Sequence, residues 1–301
     1  MESEKTKNAI DITISLVHWN TPELLKTCLE SILTSTKNVS YEVFVADSNS
    51  SDKAAFERIA DSYRSDARFV FVTNDKNIAG LAHNPLFERA KGKYFVYLCP
   101  DVQLLPGCLD ALYSFLENHQ EAGAVSPKFL NPDGTDQMYY RRIITPKFYF
   151  FSTFIGWNID KYLFSGRINE YYRYDDLDVS KVSEVEQPSL PLLMFRPEAL
   201  SGEPVVDPRL PTYFEDVDIS KRIYDHGYKI YLVPEAQIIH EKSASFKQAA
   251  PKWMRRAYYR GLIVYFKKHH PLWVPFVMLY YFLNRVAQWF AAILFKKQIT
   301  L

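Results

Sequence analysis

The sequence predicts an α/β fold: a mostly parallel central sheet covered by helices, followed by a helical extension rich in aromatic and basic residues. Three observations carry this. Strand-like runs alternate with amphipathic runs in the order β-α-β-α-β-α-β through residues 1–101, and such alternation builds parallel sheets through helical crossovers. Asp and Asn recur at the carboxyl ends of these strands, where open α/β sheets bind ligands. Beyond residue 245 the chain changes to long apolar stretches punctuated by Arg and Lys.

ITISLV (Ile12 to Val17) reads as a buried strand, and TPELLKTCLESILTS as an amphipathic helix with Pro22 in its first turn, where a missing N–H costs nothing. YEVFVAD (Tyr41 to Asp47) is the second strand, followed by a polar SNSSD turn and the helix KAAFERIADSYR. RFVFVTN (Arg68 to Asn74) is the third, and an NDKNIAG loop leads to a helix from about Leu81 to Ala90. KYFVYLCPD (Lys93 to Asp101) is the fourth, with a helix after Pro106 and Gly107. Residues 130–185, rich in Tyr, Phe, Arg and Asp, read as an irregular insertion over the site, either a lid or an acceptor surface. SLPLLMF resumes a strand, PTYFEDVDISKRI (Pro211 to Ile223) starts a helix with three acids in its first turn, and YKIYLVPEAQIIHE is strand-like to His240.

Composition narrows the function. Lys+Arg 36 against Asp+Glu 35 gives a net charge of +1, which points to no nucleic acid or other polyanionic partner. Cys28, Cys99 and Cys108 show no metal or disulfide spacing, so a reducing, cytoplasmic compartment is expected. The N-terminus MESEKTKNAIDITISLV lacks the apolar run of a secretory signal. Both GxGxxG and GxxxxGK are absent, which argues against dinucleotide enzymes and P-loop nucleotidases. Side chains at the strand ends, rather than a glycine loop, are then expected to read a nucleotide and hold a metal. In residues 246–301, PLWVPFVMLYYFLNRVAQWFAAILFKK is long enough to span a bilayer but is broken by Asn284, Arg285 and Gln288. Arg255, Arg256, Arg260, Lys267 and Lys268 flank it, so an interfacial helix on an anionic membrane surface fits better than a span.

The blocks ISLVHWNTPELLKTCLESIL, VFVADSNSSD, NDKNIAGLAHN, YLCPDVQLLPGCL, MFRPEAL and YFEDVDISKRIYDHGYKIYLVPEAQIIHEKSAS together resemble inverting glycosyltransferases of family 2, with the GT-A (Rossmann-like) fold. Within the family they look most like the bacterial rhamnosyltransferase-like branch. The resemblance implies a GT-A domain over 1–245, which leaves 246–301 as the membrane-associating extension read from its own residues. It places His18, Trp19, Asn20, Asp47 and Asn49 where the base and ribose of a sugar nucleotide are held, and Asn77 and Gly80 in the loop lining that pocket. Asp101 matches the last acid of a DXD motif, written here Cys99-Pro100-Asp101, and would touch both the nucleotide sugar and the metal. Glu215-Asp216 matches the ED motif, with Asp216 as catalytic base and Glu215 orienting the acceptor or a neighbouring loop. His240 matches a histidine that completes the metal site.

That chemistry requires a neutralised leaving diphosphate, for which Mg²⁺ or Mn²⁺ serves, and a carboxylate that takes the acceptor proton, worth roughly 10²–10⁴-fold. The implied partners are a nucleoside diphosphate sugar and a lipid-linked or polysaccharide acceptor, met at the inner face of the cell membrane. A lid over the donor is expected either from the insertion or from SASFKQ after His240. Departures from the family pattern are Cys99 in place of Asn, Leu190-Pro191 in place of small residues, and EPVVDPRL in place of a Gly-Gly-Phe-Asp turn. They bear on the sugar and acceptor rather than on the reaction class. Two other readings compete: a non-catalytic sugar-nucleotide-binding scaffold subunit, and a sugar-1-phosphate nucleotidyltransferase, whose glycine- and basic-rich phosphate loop HWNTPELL does not supply.

Overall fold

Strand β1 (Ile12–His18) forms the middle of one half of the sheet, and its residues are buried with little alternation. The computed structural model describes residues 10–241 and 251–295. The SASFKQ segment and the expected domain boundary at 245/246 lie outside the described residues. Parallel to β1 run β2 (Tyr41–Asp47) on one side and β4 (Tyr94–Leu98) on the other, with β3 (Phe69–Thr73) beyond β2. The crossovers are α1 (Pro22–Ser35), α2 (Lys53–Ser62) and α3 (His83–Glu88). Pro22 sits in the first turn of α1, and Asp52 caps α2 by accepting from Ala55 N.

The other half departs from parallel order. After β5 (Val102–Leu104), α4 (Cys108–Asn118) and β6 (Ala122–Leu130), the strand β10 (Leu192–Phe195) inserts antiparallel between β4 and β6. The long strand β11 (Lys229–His240) lies parallel to β6 and antiparallel to β5. Among the described residues the sheet runs β3-β2-β1-β4-β10-β6-β11-β5. Its core holds Ile12, Ile14, Leu16, Phe95, Val96, Leu192 and Phe195, all fully buried.

The insertion differs from the irregular segment expected over 130–185. It carries α5 (Pro146–Ser152), α6 (Phe154–Leu163) and α7 (Arg167–Arg173). Thr145 and Thr153 each cap a helix through their hydroxyls, and Gly166 supplies the left-handed turn before α7. These helices are short, so no long hydrophobic period shows in the sequence. A two-stranded ribbon, β7 (Tyr140–Arg141) paired antiparallel with β9 (Gln187–Pro188), closes the insertion at its base. The short β8 (Ser183–Glu184) pairs with β11.

Helix α8 (Glu215–Asp225) carries the acidic cluster, and α9 (Pro251–His269) and α10 (Val274–Phe295) form a hairpin. A second core joins these parts: Ile144 and Tyr149 from the insertion, Phe214 and Val217 at the start of α8, and Leu262, Tyr265, Phe266, Val274 and Val277 from the hairpin. Gly261 allows the closest approach, since a Cβ there would lie 3.0 Å from Tyr213 O and from Phe214 Cδ2. Asp218 is fully buried and accepts from Arg222 Nε at 2.9 Å, Lys268 Nζ at 2.8 Å and His269 Nε2 at 2.8 Å. Lys268 is thus committed to Asp218 and Asp207, which corrects its expected place at a headgroup; Arg255, Arg256, Arg260 and Lys267 remain at least partly exposed.

No helix among the described residues is long and apolar enough to cross a membrane. The polar break in α10 has a local use: Asn284 Oδ1 accepts from Phe154 N at the start of α6, at 2.7 Å. Trp273, Phe276, Leu279, Phe282, Trp289 and Phe290 are exposed on α10 and its lead-in turn, and Trp157 and Tyr162 are exposed on α6.

Candidate active site

Sheet pairing brings Asp101 and His240 together from distant parts of the chain. His240 pairs with Val102 in the β5–β11 ladder, and Glu241 N donates to Asp101 O at 2.9 Å. The side chains then face each other, with His240 Nε2 3.7 Å from Asp101 Oδ2. Gln137 decides what that gap contains. Its Nε2 donates to His240 O at 3.2 Å and to Asn131 Oδ1 at 3.0 Å. Its oxygen must therefore face the imidazole, and Oε1 accepts from His240 Nδ1 at 2.6 Å. With Nδ1 turned to Gln137, Nε2 is the ring nitrogen left facing the carboxylate. One oxygen and one nitrogen facing each other, with the ring orientation fixed from behind, is a pairing that could hold a cation. Among the described residues no cluster of three or more His, Cys, Asp or Glu donors forms, so the protein offers two donors here.

The acidic pair shares a neighbour, Cys99, with Asp101. Tyr213 and Phe214 take left-handed φ values of 63° and 67° just before Glu215, a costly pair of conformations for non-glycine residues. The second core and Gly261 hold them there. Glu215 Oε2 is buried without a hydrogen-bond partner among the described residues, and burial, with the charge of Asp216, pushes its pKa up to about 8. Burial also raises the pKa of Asp216, opposed by Val217 N at 2.8 Å, by Gln187 Nε2 at 2.9 Å and by the charge of Arg141. Cys99 feels both acidic groups. After burial, the charges of Asp101 and of Glu215 are what push its thiol pKa up, and Cys99 Sγ donates to Leu190 O at 3.2 Å. Tyr97, one turn of the pleat back, is raised by burial and then by Cys99, Glu215 and Asp216.

The other predicted residues gather at the ends of β1 and β2. His18 and Asp47 are register partners and both are buried. His18 stacks on Phe56 with ring centroids 5.9 Å apart, and its Nδ1 hydrogen-bonds Thr21 Oγ1 at 3.2 Å. Burial lowers its pKa to about 4 against the pull of Asp47, so the ring is neutral at pH 7. Asp47 accepts from Ser50 N and Oγ. Asn20 and Asn49 both sit at positive φ, 53° and 61°, a conformation asparagine tolerates. Asn20 accepts from Ser51 N at 2.8 Å, while Trp19 is half-buried beside it. Asn77 is exposed, its Oδ1 accepting from Ala79 N at 2.9 Å and Ser48 Oγ at 3.2 Å. Gly80 links this loop to the acidic helix, because its N donates to Pro211 O at 3.2 Å and a Cβ would sit 3.3 Å from that oxygen.

Sequence reasoning missed Gln137, Gln187 and Arg141. All three lie in the insertion or its base ribbon and act on residues distant in the chain, so no local spacing marks them.

Three comparisons bear on this arrangement. An uncharacterised glycosyltransferase of Methanocaldococcus jannaschii is 30% identical over 112 residues, covering 36% of this chain and 38% of the relative. N-acetylglucosaminyl-diphospho-decaprenol L-rhamnosyltransferase of Mycobacterium tuberculosis is 27% identical over 176 residues, covering 58% of this chain and 55% of the relative. In both cases the match spans less than two thirds of the relative's length. The crystal structure of GalNAc-T7 with UDP, GalNAc and Mn²⁺ superposes with a TM-score of 0.56 at 16% identity, over 78% of this chain and 44% of that one, which identifies the shared fold as GT-A. Residues 13–173, more than half of the chain, match the model of the family described as Glycosyl transferase family 2. On the strength of that match this chain belongs to glycosyltransferase family 2.

Proposed function

We propose that the chain is an inverting, divalent-metal-dependent glycosyltransferase. It moves a sugar, with rhamnose the first candidate, from a nucleoside diphosphate donor to a hydroxyl of a lipid-linked or polysaccharide acceptor in cell-surface glycan synthesis. The observation that carries this reading is the facing of Asp101 Oδ2 and His240 Nε2 across 3.7 Å, with Cys99 feeling the charges of both Asp101 and Glu215. The name of the Mycobacterium tuberculosis relative supports the donor sugar and the lipid-linked acceptor. The UDP and Mn²⁺ bound in the superposed GalNAc-T7 structure support the donor class and the metal.

Asp101 and His240 would hold Mg²⁺ or Mn²⁺, whose chemistry there would be to neutralise charge on the departing diphosphate. The residues at the ends of β1 and β2, from His18 to Asn20 and from Asp47 to Asn49, together with the Asn77–Gly80 loop, form the rim where the nucleotide is read. Asp216, held by Gln187 and by Val217 N, takes the acceptor proton as the hydroxyl attacks the anomeric carbon from the face opposite the diphosphate. Glu215, kept protonated at neutral pH by burial, donates to an acceptor oxygen and orients it. A single displacement inverts the anomeric centre.

The exposed aromatic face of α10, with Arg255, Arg256 and Arg260 on α9, suits an anionic membrane surface where a lipid-linked acceptor resides. A thermal-shift panel of nucleotide sugars with Mn²⁺ tests the donor, since binding raises apparent stability by mass action. Slow donor hydrolysis that needs Mn²⁺ and disappears in Asp101→Ala is the expected companion result. Hydrolysis that persists unchanged in that variant, or a panel with no response, would refute the assignment.

A further inference from the structure

The ribbon β7–β9 holds two adjacent arginines with opposite fates. Arg142 is consumed by the fold: Nη1 pairs with Glu186 at 3.1 Å, Nε donates to Tyr171 O at 3.0 Å, and the guanidinium lies over the rings of Tyr171 and Tyr174 at 3.7 and 4.1 Å. Arg141 makes no ion pair among the described residues. Its Nη1 donates only to backbone carbonyls, to Tyr140 O at 2.6 Å and to Met138 O at 3.4 Å, which leaves Nε and Nη2 unspent. Adjacent residues of a strand face opposite sides, so the fate of Arg142 in the fold leaves Arg141 on the other side.

That other side is the one from which Gln187 reaches Asp216. Arg141 is the direct cross-strand partner of Gln187, and directly opposed residues of an antiparallel pair present their side chains on the same face. Gln187 uses that face to reach Asp216 Oδ2 at 2.9 Å. The charge of Arg141 acts on Asp216, on Tyr172 and on Tyr139. The Tyr139 ring in turn lies 5.7 Å from that of His240. The guanidinium therefore shares neighbours with both the candidate base and the candidate metal pair.

We propose that Arg141 is a diphosphate-binding residue, its free fork closing on phosphate oxygens in the cleft between Asp216 and Asp101. This inference rests on the glycosyltransferase reading above and extends it. A planar fork with unspent donors matches phosphate oxygens in pairs. An arginine lacking an acidic partner, on the same face as the glutamine bonded to Asp216, also supplies the positive charge that a highly anionic ligand needs. Two ligands bring a diphosphate here, the sugar nucleotide and a lipid diphosphate acceptor, and the test separates them.

The test measures binding by isothermal titration for the full chain and for Arg141→Gln and Arg141→Lys, with UDP plus Mn²⁺ as one probe and inorganic pyrophosphate without metal as the other. Arg141→Gln should weaken the relevant probe by about 10–100-fold, in line with the loss of a charge-assisted fork. Arg141→Lys should recover part of the loss, because a point charge replaces the fork. Weakening confined to UDP plus Mn²⁺ assigns Arg141 to the donor. Weakening confined to metal-free pyrophosphate, with UDP plus Mn²⁺ unchanged, assigns it to the acceptor diphosphate. Unchanged affinity of Arg141→Gln for both probes, in a chain whose wild type binds UDP plus Mn²⁺, overturns this inference and leaves the function standing. Failure of the wild type to bind either probe overturns the glycosyltransferase reading together with it.

Discussion

Replacing Asp218 with Asn should show how firmly the acidic helix is tied to the C-terminal hairpin. Burial alone would raise the Asp218 pKa, but the hydrogen bond from His269 and the charges of Arg222 and Lys268 overcome it and hold the carboxyl below its usual range. Removing one partner of a buried charge network costs about 3–5 kcal/mol, because the remaining charges lose their compensation. Here the lower end applies. Lys268 keeps Asp207 at 3.0 Å, and Arg222 keeps the carbonyls of Pro204 and Val205 at 2.9 and 2.7 Å. At about 3 kcal/mol, and about 2–4 °C per kcal/mol for a chain of this size, the Tm should fall by roughly 6–12 °C at pH 7. The pH dependence has a fixed sign. A carboxyl depressed in the folded state stabilises above its unfolded pKa of about 3.9 and loses that contribution as pH falls through the folded value. Circular-dichroism melts of wild type and Asp218→Asn should therefore converge below about pH 4. A fall of less than about 2 °C at pH 7, or a gap that persists undiminished at pH 3, would refute the reasoning.

Glu215→Gln tests the acidic pair, because a carboxyl raised to about 8 in the fold contributes stability below its unfolded pKa and loses it as pH rises toward 8. The variant should gain more Tm at pH 8 than at pH 5. Its acid limb of kcat should stay in place, because Glu215 is already uncharged where Asp216 titrates, and a limb displaced by about one pH unit would count against that protonation state. Gln137→Ala frees the His240 ring, so Mn²⁺ affinity measured by electron paramagnetic resonance should drop about 10–100-fold, with some loss of Tm because three hydrogen bonds of a buried side chain go; equal affinity in the folded variant would remove Gln137 from the site. Phe282→Glu with Phe290→Glu should abolish flotation with vesicles of anionic phosphatidylglycerol while leaving Mn²⁺-dependent donor hydrolysis intact. Undiminished flotation would place membrane contact elsewhere.

The parallel half of the sheet was legible because its signals are local: β1, α1, β2 and α2 fall within a residue or two of the runs that predict them. The start of α8 at Glu215 also followed from its acids. The helices of the insertion were not legible, since α5 and α7 span only seven residues each, too few for a period to emerge. At the site, Asp101 and His240 could be nominated from their places at strand ends, but the gap between their side chains depends on the β5–β11 ladder. Gln137, Gln187 and Arg141 act across folds of the chain, so composition and spacing carry no trace of them. Lys268 was misplaced for a related reason: a basic residue in an apolar run looks like a headgroup anchor until its two buried aspartates are seen.

Gly261 carries a practical lesson for anyone trimming the gene. An expression boundary drawn ahead of α9 would strip Leu262, Tyr265 and Phe266 from Phe214 and Val217, opening a greasy wound behind the ED motif. The two left-handed residues there would lose their backstop, so a shortened protein that stays soluble should still be sluggish. For the same reason a tail borrowed from another family member will transplant well only if it brings a residue as small as glycine to that crossing.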